Sequence, residues 1–169
     1  IDLPQSGQAS VTYARPIRGI GRSDRGYFPA SVMSSVLGGG YSSRLNQEIR
    51  IKRGLSYGAG SSVAWRSGKA NFSTRTQTKN ESAAEVTELV IDELRKLSAT
   101  LTAESELIPR KSVLTGTFGL SLETTGGLAS AIGELYGFGM PSSELNTYVA
   151  NVNGVTDAQI KNFALDNLL

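Results

Sequence analysis

Residues 69–78 (KANFSTRTQT) alternate with a period of two, which places Ala70, Phe72, Thr74 and Thr76 on one side of an extended chain. Within a few residues the period changes. From Asn80 to about Leu97, the residues Ala83, Val86, Val90, Leu94 and Leu97 draw one apolar stripe opposite Glu85, Glu88, Asp92 and Arg95. A one-sided strand followed directly by a one-sided helix must bury its apolar surface against another layer. The pattern predicts a helix lying on a sheet, the longest regular helix of the chain, with Asn80 as its N-cap. It needs no catalytic explanation.

The rest of the chain fits around that unit. Gly58–Trp65 (GAGSSVAW) joins the strand through Arg66-Ser67-Gly68 and reads as the other arm of a β-hairpin. Gln8–Ile17 (QASVTYARPI) is a further strand, with Pro16 limiting its end. Arg18–Gly26 is a polar loop; its Gly19-x-Gly21-x-x-Asp24 lacks the third glycine of a dinucleotide fingerprint and reads as a turn. Tyr27–Leu37 carries apolar groups at 28, 32, 33, 36 and 37, a core-facing helix with Pro29 tolerated early. Ser42 or Ser43 caps a shorter helix with Leu45 and Ile49 facing inward, and Gly54 suits its C-terminus. Downstream, Thr102 caps a segment that Pro109 kinks or interrupts; helical stretches at 112–117, 123–136 and 142–149 follow. Thr156 with Gln159 makes a capping box for a last helix. The expectation is an α+β fold, a largely antiparallel sheet covered on one face by helices, with residues 1–169 as a single domain.

Composition removes several functions. Of 169 residues 39% are hydrophobic and 19% charged, so the chain should be globular, and its longest apolar stretches are too short to span a membrane. The net charge of +2, without a run of like charges, gives little warrant for nucleic acid despite a pI near 9.0. There is no cysteine and no histidine, which removes disulfides, thiolate or imidazole zinc ligation, a Ser-His-Asp triad and a Cys-His dyad. Hydrolytic chemistry here would need a partner. The chain opens on Ile1-Asp2-Leu3-Pro4, with neither a charged leader nor an apolar signal core, so a fragment cut from a longer chain is expected.

Functional interest gathers at Leu37–Gly58 (LGGGYSSRLNQEIRIKRGLSYG). Gly54-Leu55-Ser56-Tyr57-Gly58 matches G-x-S-x-G, but a nucleophile elbow needs a strand before the serine and a helix after it, the reverse of the order here. Gly38, Gly39 and Gly40 lack the Gly-Lys-Ser/Thr ending of a phosphate cradle. They read either as a helix stop or as a loop over which a peptide backbone can approach closely. Arg50 and Tyr57 remain, seven residues apart around a helix end.

The string LGGG-x-SSRLNQEIR-x-KRGLSYG is more specific than any pair within it. Through Leu37–Gly40, Ser42–Leu45, Glu48-Ile49-Arg50 and Lys52–Tyr57 it resembles the insulinase/pitrilysin zinc metallopeptidases, in the C-terminal domain that does not bind zinc. The smaller, processing-peptidase-like branch is most similar. The resemblance implies half of a clamshell. Zinc sits in a homologous partner domain or subunit with an inverted His-x-x-Glu-His, and this half supplies an Arg–Tyr pair, carried onto Arg50 and Tyr57. Gly38–Gly40 would then line the substrate, a peptide or unfolded polypeptide, and the chain alone would be inactive. Family habit and the lack of cysteine point to a bacterial periplasm or envelope. The other reading of the same fold is a noncatalytic structural or peptide-docking domain, as in respiratory-complex core subunits.

Overall fold

The structure, a computed structural model, describes residues 6–169, so the reading of Ile1–Pro4 falls outside it. Strands β1 (Gln8–Arg18), β2 (Ala59–Arg66) and β3 (Lys69–Lys79) form one antiparallel sheet in the order β1-β3-β2. The hairpin closes through Ser67-Gly68, where Gly68 adopts φ +66°, and β1 returns from the start of the chain to pair Gln8 with Lys79 and Arg18 with Lys69. Pro16 is accommodated because β1 is an edge strand. Along β3 the residues Ala70, Phe72, Thr74, Thr76 and Thr78 are buried and their neighbours face outward, as the alternation requires.

Two helices cover that inner face. Helix α1 (Tyr27–Gly38) contributes Val32, Met33, Val36 and Leu37, and α2 (Ala83–Ala99) contributes Val86, Val90, Leu94 and Leu97, all in one core cluster with the fully buried Phe72. Each such side chain contributes about 1.5–3 kcal/mol by leaving water. Beyond α2 come α3 (Glu104–Ser121), α4 (Thr125–Gly137), α5 (Glu144–Gly154) and α6 (Asp157–Asn167). Helix α6 packs on α1 and α2 through Ile160, Phe163 and Ala164. Its start is the expected capping box: the Gln159 amide donates to Thr156 Oγ1 and the Thr156 amide to Gln159 Oε1. Among the described residues no helix is long and apolar enough to cross a membrane.

Four local expectations need correction. Asn80 begins a short 3-10 turn, Asn80–Ser82, ahead of α2 and makes no capping bond to it. Its amide nitrogen donates to the Ser6 carbonyl instead. Helix α3, at 18 residues, exceeds the 17 of α2. It also runs unbroken through Pro109 and starts after Ala103, while Thr102 is buried as the residue before that cap. Tertiary ties explain the continuity. Pro109 sits in the second turn, where it removes a single helical hydrogen bond. On one side of it Glu106 holds Arg44 through two bonds of 2.8 and 2.9 Å; on the other, the buried Arg110 donates to the Gly39 carbonyl and to Ser42 Oγ. These contacts clamp both flanks of the proline to the turn after α1.

The end of α1 lies almost on β2. A Cβ at Gly38 would stand 2.2 Å from the Ser61 nitrogen, whereas one at Gly54 would meet nothing within 4 Å but would inherit φ +64°. Gly38→Ala should therefore lower the unfolding free energy by about 3 kcal/mol through overpacking, and Gly54→Ala by about 1 kcal/mol through backbone strain alone. Urea denaturation of the two variants checks the ranking; a neutral Gly38→Ala would mean that helix and strand are not in contact.

Candidate functional site

The turn after α1 is built from backbone acceptors. The Gly39 amide closes the helix on the Ser35 carbonyl at 3.0 Å, and Gly40 turns the chain at φ +120°. The Gly40 carbonyl then accepts the Ser43 amide (3.1 Å), the Ser43 hydroxyl (2.6 Å) and Asn46 Nδ2 (3.0 Å). The short helix that follows buries Leu45 and Ile49 as expected. Its turn over Asn46–Ile51 is π-helical, with the Lys52 amide reaching back five residues to the Gln47 carbonyl at 3.0 Å. Such widened turns recur at functional sites. It ends at Gly54, whose positive φ and 3.0 Å bond to the Arg50 carbonyl form a left-handed cap.

From there the chain is pinned to β3. Thr78 Oγ1 donates to the Leu55 carbonyl at 2.6 Å, and Thr76 Oγ1 lies 2.8 Å from Ser56 Oγ and 2.9 Å from the Gly58 carbonyl. Ser56 closes a tight turn over Tyr57: its hydroxyl donates to the Gly58 carbonyl and accepts the Gly58 amide. The serine of G-x-S-x-G thus has a backbone task. Asn46 fastens the far side, with Nδ2 2.5 Å from the Ala59 carbonyl and Oδ1 accepting the Ala59 amide at 3.2 Å. The result is a fixed backbone carrying a free ring. Tyr57 is 93% exposed, and none of the described hydrogen bonds involves its hydroxyl. It lines a shallow groove of about 240 Å³ with Gln8, Arg75 and Gln77.

Arg50 is also exposed. Its guanidinium lies 5.0 Å from the Tyr41 ring centroid, within cation–π range, and it enters none of the described ion pairs. Glu48 explains why it alone of the local cations is unpaired. That carboxylate holds Lys52 and, at 2.6 Å, Arg53; the hydrogen bond from Lys52, with help from Arg53, keeps its pKa below the usual carboxylate range.

Of the expected site residues, Arg50, Tyr57 and Gly40 are exposed, Gly39 is half-buried, and Gly38 is buried at the end of α1 against β2; they do not converge on one pocket. Arg50 lines neither of the grooves that Tyr57 borders. Gly38 and Gly39 already have internal reasons to be glycine, since a Cβ on Gly39 would stand 2.5 Å from Ser35 Cα. Sequence reasoning missed Asn46, Arg110 and the Arg44–Glu106 pair, whose side chains hold this turn together. Asn46 leaves a trace in the sequence: a polar residue three before Ile49, on the inward side of a short amphipathic segment. As to metal, the chain has no histidine or cysteine, and the described residues gather no set of three carboxylates.

The geometry is thus a helix-covered antiparallel sheet that presents an exposed Arg50 and an exposed Tyr57 beside a glycine turn. Residues 1–107 match the family described as the peptidase M16 inactive domain, and the chain belongs to that family. An uncharacterized zinc protease of Streptomyces coelicolor is 30% identical over 164 residues, 95% of this chain and 35% of that protein. One of Mycobacterium tuberculosis is 32% identical over 117 residues, 69% of this chain and 27% of that protein. The chain thus spans about a third of these relatives at most. The solved peptidase M16 inactive domain of Pseudomonas fluorescens superposes at TM-score 0.84 with 27% identity, over 97% of this chain and 39% of that one. A chain of complex III2 from Candida albicans shares the fold at TM-score 0.80 with 14% identity, over 97% and 41%.

Removing the Asn46 carboxamide takes both of its bonds from the Ala59 peptide, while the Gly40 carbonyl keeps its two bonds from Ser43. Asn46→Ala should lower the unfolding free energy by about 3 kcal/mol and speed amide hydrogen exchange over residues 55–59. A loss under about 0.5 kcal/mol with unchanged exchange would show that the carboxamide does not hold the Tyr57 turn.

Proposed function

We propose that this domain is the non-zinc half of a zinc metalloendopeptidase acting on peptides or unfolded segments, and that it supplies Arg50 and Tyr57 to the shared site. The observation that carries this is Tyr57: a phenol 93% exposed, on a backbone anchored from both sides, with no internal hydrogen bond described for its hydroxyl. The protease names of the relatives support the reading. The zinc-bearing half, on the same polypeptide or a second chain, would provide the activated water. As water attacks a peptide carbonyl, negative charge gathers on its oxygen, and a preorganised Tyr57 O–H donates to it. Arg50 offers a planar set of donors to a neighbouring substrate carbonyl and so fixes register. Gly38–Gly40 set the start of the helix that carries Arg50, and Gly40, the exposed one of the three, leaves room for a backbone to pass.

The likeness to a complex III2 chain favours a second reading, a structural or docking domain, because a fold does not carry an activity with it. Kinetics of the assembled full-length protein separate the two. Tyr57→Phe should lower kcat about a hundredfold with little change in KM, and Arg50→Gln should act mainly on KM. Turnover unaffected by Tyr57→Phe would remove the catalytic role. No hydrolysis by the assembled parent protein would favour the docking domain.

A further inference from the structure

The balanced net charge conceals a sharp segregation. No aspartate or glutamate occurs in β1, β2 or β3; every described acidic residue lies outside the strands. The uncovered face of the sheet carries Arg18, Arg66, Lys69, Arg75 and Lys79, all exposed and none in a described ion pair. Their placement is the informative part. Arg18 stands directly opposite Lys69, and Lys69 directly opposite Arg66, so three cations form one row across three strands. Neighbouring strands lie about 4.8 Å apart, and like charges facing each other at that spacing destabilise a sheet. Among the described residues no carboxylate pairs with the row.

The row is aligned with the candidate site. Arg75 shares the groove of Tyr57, and Lys69 lies six residues from it along the same strand, about 20 Å at the rise of an extended chain. Between the two ends the face is uncharged, through Ala14, Ser62, Ala64 and Asn71. An extended polypeptide has the same rise per residue. One that passes Tyr57 and follows β3 therefore reaches the row about six residues further on.

We propose that this sheet face docks an acidic, extended stretch of the polypeptide substrate, with the row Arg18–Lys69–Arg66 receiving carboxylates about six residues from the bond placed at Tyr57. The proposal rests on the reading of Tyr57 as the reacting end. A peptide is favoured over nucleic acid because the row lies in line with a peptide-cleaving site and the face between carries no aromatic platform for bases.

The assembled full-length protein is offered peptides identical except for Glu-Glu or Gln-Gln placed six residues to either side of the cleaved bond. The acidic pair on one side should lower KM about 3- to 10-fold with kcat unchanged. The advantage should vanish in the Arg66→Gln/Lys69→Gln double variant and persist in Lys69→Arg. Equal KM values in the parent, or an advantage that survives the double variant, overturn the proposal. If no peptide is cleaved, the proposed function fails but docking is still read by fluorescence anisotropy of a labelled acidic peptide. A threefold or greater weakening by the double variant supports docking, and unchanged binding refutes it. A single-stranded oligonucleotide that outcompetes the acidic peptide at physiological salt also refutes it.

Discussion

One carboxamide closes the centre of this domain. Asn46 Nδ2 donates to the carbonyls of Gly40 and Ala59 while its Oδ1 accepts the Ala59 amide, so a single side chain satisfies backbone groups from two segments that flank its own. Left buried and unpaired, the Ala59 carbonyl and amide would each cost about 1–3 kcal/mol. A second clasp lies beside it. Ser61 Oγ donates to the Ser34 carbonyl at 2.8 Å, and Gly38 lets the two backbones approach closely enough for that bond. Arg110 reaches the same turn from α3. Helix α1, strand β2 and helix α3 are all located by the few residues between Gly38 and Asn46.

This arrangement has a consequence for chemistry. The backbone from Asn46 to Ala59 is held by its own turns and by β3, yet the two side chains of interest are left in solvent. Glu48 takes up Lys52 and Arg53, which leaves Arg50 unpaired, and Ser56 takes up the Gly58 peptide, which leaves Tyr57 at the tip. An exposed phenol and an unpaired guanidinium contribute little to stability. The fold does not account for them, and that is the physical ground on which we propose a substrate role for them. Preorganisation of this kind limits the reorganisation needed when charge develops in a transition state.

What could be read from the sequence depended on whether the determining forces were local. The alternation of β3, the stripe of α2 and the Thr156 capping box follow from side-chain period and hydrogen-bond chemistry within a few residues, and all appear in the structure. Pro109 obeys a local rule that tertiary ties override, since Arg44–Glu106 and Arg110 fix its helix from outside. The π-turn was illegible because Leu45 and Ile49 at i, i+4 suit an α-helix equally well. Ser56 could be dismissed as a nucleophile from element order alone, but its bond to Thr76 needed the fold to bring a residue twenty positions away beside it.

Charge was the least legible property, for a geometric reason. Counted along the chain, cations and anions nearly cancel and no run of either sign appears. Strand pairing then sorts them. Alternate positions of β3 send Lys69, Arg75 and Lys79 to one face, and the antiparallel register brings Arg18 and Arg66 level with Lys69. The acidic residues of α2 cannot neutralise that face, because α2 packs on the buried side of the sheet, about 10 Å away, and α1 beside it has none. At that separation, with water and ions on the exposed side, an attraction between sheet cations and helix carboxylates is largely screened. The row of three is therefore a standing electrostatic cost in the free domain. A carboxylate arriving from outside relieves it, and the same relief is what would make docking on this face depend on both charge and register.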